Sequence, residues 1–192
     1  MLMRCFILVI VLMFGTASAF AQVSAGQKLL GVFGVWRAYT YKDGDQPVCY
    51  MVKTAGFPKI ITNKKFARGA AYLMITHRPG ENSKDVVNYT AGYNFKPASD
   101  VTIHAGKDDF DLFTQKDTAW SRDTKTDHAL SAAIRHNSFI KIIGLPAQKV
   151  SPVTDTLDMK GAAEAYQAIG KACGYEADAP PAGASTHKNK HK

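Results

Sequence analysis

The chain holds three cysteines and six histidines, and these are where its chemistry would start. Cys5 lies inside an apolar run near the N-terminus, which leaves Cys49 and Cys173 as the pair to consider. Two cysteines in an oxidising compartment most often join. Their bond would close a loop of more than 100 residues. On the chain-entropy account that contributes roughly 4–5 kcal/mol before any strain. The competing chemistry is a catalytic thiol, which needs a reduced sulfur and a nearby base.

Other catalytic sets are missing. No Gly-x-Ser-x-Gly elbow occurs. Ser138-Phe139-Ile140-Lys141 spells Ser-x-x-Lys, but that pair needs a helix to share a face. The β-branched and aromatic surroundings make it a strand, where the two side chains diverge. His77, His104, His128 and His136 are scattered, so no metal site is expected. His187 and His191 stand four apart in a segment unlike a helix. Gly31-Val32-Phe33-Gly34 is too short for a dinucleotide fingerprint, and no cofactor is expected. No nucleic-acid motif or dense basic run appears. Asn88-Tyr89-Thr90 spells a glycosylation acceptor in the middle of an expected strand.

Two surface-type features remain. One is the basic stretch with Lys59, Lys64, Lys65 and Arg68, preceded by Lys53. The other is Asp117-Thr118-Ala119-Trp120, considered together with His77-Arg78. An aromatic ring beside cations suits sugars or anionic headgroups. Such lysines also serve simply as a solvated face, and such a tryptophan as core.

Strand signals dominate the segments that must position these residues. Trp36–Tyr41 and Val48–Val52 flank the turn Lys42-Asp43-Gly44-Asp45 and read as a hairpin. Ala71–Arg78 reads as a central strand stopped by Pro79-Gly80. Val87, Tyr89, Ala91, Tyr93 and Phe95 alternate with polar residues and small Gly92, as in a strand with one buried face. Val101–Ala105, Phe110–Phe113, Thr118–Trp120, Ser138–Ile143 and Val153–Met159 follow. Gln22–Leu30 shows little pattern.

A helix is expected over Lys125–His136, capped by Asp123 or Thr124, with Ala129, Leu130, Ala133 and Ile134 as its apolar stripe. A second spans Gly161–Ala172 and sets Ala162, Tyr166, Ile169 and Cys173 on one face. The expected fold is mainly β, a β-sandwich or partly open barrel with two peripheral helices.

The ends read differently. Residues 1–21 have the three parts of a secretory signal peptide: one cation, about ten apolar residues, then small-x-small cleavage patterns ending at Ala19 and Ala21. An apolar run that short falls below the roughly 20 residues of a spanning helix. Residues 22–175 form the expected domain, and 176–192 an expected disordered basic tail. Arg4 would leave with the leader, taking the net charge from +8 to +7. That excess favours anionic partners such as lipopolysaccharide, cell-wall polymers, lipid headgroups or host glycans.

Eight short pieces carry a resemblance. They are Phe33-Gly34-Val35-Trp36, Val48-Cys49-Tyr50-Met51, Ile75-Thr76-His77-Arg78-Pro79, Ala91-Gly92-Tyr93, Leu112-Phe113-Thr114-Gln115, Asp117-Thr118-Ala119-Trp120, Asp155-Thr156-Leu157 and Ala172-Cys173. In these, and in their order, the chain resembles the invasion-associated locus B family of exported bacterial proteins. The resemblance implies a periplasmic or surface-associated protein of β-rich fold with paired cysteines at Cys49 and Cys173. It supplies no catalytic residues. The family takes its name from a pathogen factor that aids entry into host cells. The chain departs from the family pattern at Leu145-Pro146-Ala147-Gln148-Lys149 and in its basic tail.

The expectation from the sequence is therefore an exported, non-enzymatic envelope or surface protein that binds an anionic component. The alternatives are a periplasmic folding or stress accessory and a thiol hydrolase.

Overall fold

A computed structural model describes residues 26–55, 68–148 and 151–175. The expected signal peptide, most of the basic stretch and the expected tail lie outside the described residues.

The described residues form ten strands and two α-helices, with a short 3-10 turn at Pro79–Glu81. The strands are β1 (Lys28–Phe33), β2 (Trp36–Asp43), β3 (Gln46–Ala55), β4 (Ala71–Arg78), β5 (Ser83–Thr90), β6 (Asp100–Ala105), β7 (Asp108–Gln115), β8 (Thr118–Trp120), β9 (Phe139–Gly144) and β10 (Val153–Asp158). Helix α1 is Thr124–His136 and α2 is Ala162–Ala172. All ten strands join one antiparallel sheet in the order β1-β2-β3-β4-β5-β8-β7-β6-β9-β10. The end strands β1 and β10 do not pair, so the sheet is not closed into a barrel. The mainly β class stands. The sandwich-or-barrel choice resolves into a single open sheet that folds over itself.

The fold-over has a specific clamp. Asp155 on β10 accepts two hydrogen bonds from the Arg68 guanidinium, at 2.8 and 2.6 Å. It also accepts one from the Tyr89 hydroxyl of β5. Arg68 further donates to the Tyr89 hydroxyl at 2.7 Å and to the Ala91 carbonyl at 2.5 Å. Both charged side chains are buried. Two parallel bonds between a guanidinium and a carboxylate fix orientation as well as distance. Burial and the neighbouring Asp155 hold the Tyr89 phenol protonated, well above its ordinary pKa.

A second closure joins the β1–β2 turn to the β10–α2 turn. Val35 N donates to the Lys160 carbonyl at 3.1 Å. Gly34 and Gly161 both have positive φ there, and a Cβ on either would collide with the facing backbone. Only glycine allows both the conformation and the approach.

Alternation places Trp36, Met51, Leu73, Ile75, Tyr89, Ile103, Leu112, Ile140 and Ile142 inside, all less than 2% exposed. Each such side chain contributes about 1.5–3 kcal/mol through burial. Leu130 and Ile134 of α1 and Ile169 of α2 complete this core. Among the described residues no helix is long and apolar enough to cross a membrane.

Three local expectations differ from the structure. Lys28–Phe33 is a strand, but as the sheet edge it is largely exposed on both faces, so it lacks alternation. Continuous pairing in the 87–95 segment ends at Thr90 and Gly92 turns the chain with φ 71°, leaving Phe95 a single bridge to Pro146, although Ala91, Tyr93 and Phe95 remain buried. In α1 the buried stripe is Leu130, Ser131, Ala133 and Ile134, and Ala129 is exposed. Asp123 caps that helix by accepting from Thr126 N at 2.7 Å.

Candidate functional site

Cys49 and Cys173 are joined by a disulfide, with Cα atoms 5.9 Å apart. Cys49 lies on the inward face of β3, and Cys173 caps the C-terminal end of α2. Ala162, Tyr166, Ile169 and Cys173 are all buried, on one face of that helix. With both sulfurs bonded, neither is available as a thiolate nucleophile.

The disulfide borders a buried polar cluster. His77 of β4 is the cross-strand partner of Cys49 and is fully buried. A bulge in the β4–β5 register, between Thr76 and Arg78, turns Asp85 inward at φ 65°. Bulges of this kind re-aim a side chain at a local conformational cost. Asp85 accepts from the Tyr166 hydroxyl at 2.6 Å and from Ser131 Oγ at 3.3 Å, and its other oxygen meets His128 Nδ1 at 2.6 Å. Its backbone N–H donates to His77 Nδ1 at 3.1 Å.

Acid, histidine and serine thus lie together, but not as a nucleophilic triad. Ser131 bonds the carboxylate rather than a histidine, and it is fully buried. Burial lowers the pKa of His77 to about 4, with Asp85 opposing. The imidazole is therefore neutral at neutral pH. The cluster ties β4, β5, α1 and α2 together. Sequence patterns give no sign of it, because a bulged residue breaks the period rather than following it.

The outward face of β2, β3 and β4 has a different character. Tyr39 and Tyr50 are direct cross-strand partners with rings stacked, centroids 5.3 Å apart. Tyr41 meets Tyr50 edge-on at 6.3 Å. Across β3 the next row brings Thr76 opposite Tyr50. Gln27, just before β1, donates its side-chain amide to the Tyr50 hydroxyl. Burial and the neighbouring Tyr39 and Tyr41 raise the Tyr50 pKa, so its hydroxyl keeps its proton.

Gln27, Tyr41, Tyr50 and Thr76, with Val48, Met74 and Arg78, line a groove of about 280 Å³, and Tyr39 stacks on Tyr50 beside it. A smaller pocket of about 140 Å³ adjoins it and shares Val48 and Arg78. Arg78 is one-third exposed. It donates to Tyr41 Oη at 3.3 Å, Asp43 at 3.3 Å and Glu81 at 3.4 Å. Both helices pack on the inward side, through Cys173 to Cys49 and through Ser131 and Tyr166 to Asp85. No described helix covers the tyrosines.

The residues singled out in the sequence do not form one patch. His77 is interior, while its neighbour Arg78 faces out. Trp120 lies on β8, opposite Asn88 and Phe113, two strands from Met74. Arg68 is buried in the Asp155 clamp and is not a surface cation. Lys53 turns inward, where burial lowers its pKa and Asp158 opposes the shift. Lys59, Lys64 and Lys65 lie outside the described residues. Of the 24 Lys and Arg, 16 fall among the described residues, against 14 of the 16 Asp and Glu, so the described part carries +2 of the +8. Asn88 is buried in β5, which removes it as an accessible glycosylation acceptor.

The fold has a counterpart among solved structures. The chain is similar to the crystal structure of invasion associated protein b from Bartonella henselae, with a TM-score of 0.52 and 13% sequence identity. The likeness covers 72% of this chain and 92% of that one. At that identity it is a likeness of fold. No family model matches the chain, and no curated protein matches it.

Proposed function

We propose that this protein is an exported, non-enzymatic binding domain of the bacterial envelope or surface, acting in contact with host cells or with the envelope itself. The observation that carries the reading is the open face around Tyr39, Tyr41 and Tyr50, with Arg78 bonded to the Tyr41 hydroxyl. Tyrosine supplies a large contact area with few torsions to freeze and a polar tip at its end. The fold neighbour, named as invasion associated, supports the placement at the cell surface.

Charge has a separate part in this reading. Most of the cationic excess lies in the segments around Lys59, Lys64 and Lys65 and in the last residues, Lys188, Lys190 and Lys192. Those segments supply long-range attraction to an anionic envelope polymer, lipid headgroup or host surface, and the tyrosine face supplies the short-range contact. The test is retention of the mature protein on isolated bacterial envelopes and on host cells. Retention that falls with salt, and falls again in Tyr50→Ala, is the expected result. Absence of retention on either material, or retention equal in Tyr50→Ala, would overturn the reading.

A second reading, a folding accessory, draws on Leu29, Val32 and Val35, which are 40–59% exposed along the β1 edge. It requires suppression of client aggregation that salt does not abolish.

A further inference from the structure

The tyrosine face has a local charge balance unlike that of the whole chain. Arg78 stands between Asp43 and Glu81, so one cation faces two carboxylates. An anionic group therefore gains no net attraction at that point, so the lysine segments and the tyrosine face suit different parts of one surface, the charged and the uncharged. Exposed carboxylates are also strong acceptors for hydroxyl groups, and the guanidinium has donors for hydroxyl oxygens. The bonds holding Arg78, at 3.3–3.4 Å, are long enough to be exchanged for better ones.

The backbone offers nothing to an extended peptide at this face. β2, β3 and β4 are each paired on both sides, so no ladder groups are free for an added strand. Recognition must come from side chains. Those available are aromatic faces and edges, the hydroxyls of Tyr41 and Tyr50, the Gln27 amide and the Thr76 hydroxyl. A sugar ring has the matching make-up: a C–H face that packs on the electron-rich face of an aromatic ring, and a rim of hydroxyls.

We propose that the two adjoining pockets are successive subsites for a neutral oligosaccharide. One ring lies against Tyr41 and Tyr50, and the next lies beyond Arg78 toward Asp43 and Glu81. The shared wall of Val48 and Arg78 marks the junction between the two units. This inference rests on the reading of the outward face as the binding site, and it names the ligand class.

The test titrates the full mature chain with cellohexaose, the fully N-acetylated chitin hexamer and hexagalacturonate, followed by calorimetry and by tyrosine-ring NMR shifts. At least one neutral hexasaccharide is expected to bind, with affinity about tenfold or more above that for hexagalacturonate. Tyr50→Ala is expected to lower that affinity about tenfold or more, and Tyr41→Phe, which keeps the ring, to lower it less. Raising the salt about tenfold should leave neutral-sugar binding unchanged.

Equal or tighter binding of hexagalacturonate overturns the proposal, as does binding of no neutral hexasaccharide. If neutral sugars fail while Tyr50→Ala still abolishes retention on envelopes, the sugar inference falls and the face remains the binding site. If both results are negative, both readings fall.

Discussion

Cys173 at the end of α2 is bonded to Cys49 in β3, so the last helix is anchored to an early strand across 124 residues. The unfolded chain loses most from such a long closure, and the bond contributes about 5 kcal/mol on the chain-entropy account, before any strain. A Cys49→Ala, Cys173→Ala double variant should unfold at correspondingly lower denaturant. The native protein should show no reactive thiol at either position once the leader is removed. Thiol titration checks the second point directly, and two thiols per mature chain would contradict the bond.

The Arg68–Asp155 clamp makes a second prediction. Removing one partner of a buried ion pair leaves the other charge stranded, at a cost of about 3–5 kcal/mol. Asp155→Leu should therefore destabilise the fold far more than a surface substitution does. The double replacement Arg68→Met, Asp155→Leu should be less damaging than either single change. Denaturant unfolding of the four proteins of this cycle measures the coupling, and simple additivity would contradict it.

His77 gives the fold a dependence on pH. Burial holds its folded pKa at about 4, below the ordinary histidine value near 6.5. The folded protein then binds fewer protons than the unfolded chain between those limits. Stability is fullest above about pH 6.5 and declines as the pH falls toward 4, by about 2 kcal/mol at pH 5. His77→Gln should flatten this part of the stability profile. Parallel profiles for the two proteins would rule out His77 as the source.

Substitutions on the tyrosine face should separate binding from stability. Tyr41 and Arg78 point away from the core, and Tyr41→Phe or Arg78→Gln removes only polar contacts that are partly exposed. Each should change unfolding free energy by less than about 1 kcal/mol while weakening retention on envelopes. Thermal melts together with a retention assay show whether the two readouts part. A joint fall in both would assign these residues to the fold instead.

Much of the sheet was legible in the residues. The hairpin at Lys42–Asp45, the alternating run from Val87 and the buried face of α2 all follow local periodicity and turn chemistry. What was not legible depends on distance in the chain. Arg68 reads as one more cation in a basic stretch, because nothing local signals Asp155, 87 residues away. Asp85 reads as a polar residue at a strand start, because a bulge has no periodic signature. The tyrosines of the outward face were visible only as strand formers. Their convergence depends on the β2–β3–β4 register, which pairs Tyr39 with Tyr50 and Tyr50 with Thr76.

The binding function proposed for this protein runs through the outward face of β2, β3 and β4. Chemical-shift mapping on the isotope-labelled mature protein, titrated with soluble polysaccharide from isolated envelopes, tests it most directly. Shifts are expected to concentrate on Gln27, Tyr39, Tyr41, Tyr50, Thr76 and Arg78, and Tyr50→Ala is expected to remove them. Shifts confined to the β1 edge or the α1 surface, or no shifts at all, would contradict it.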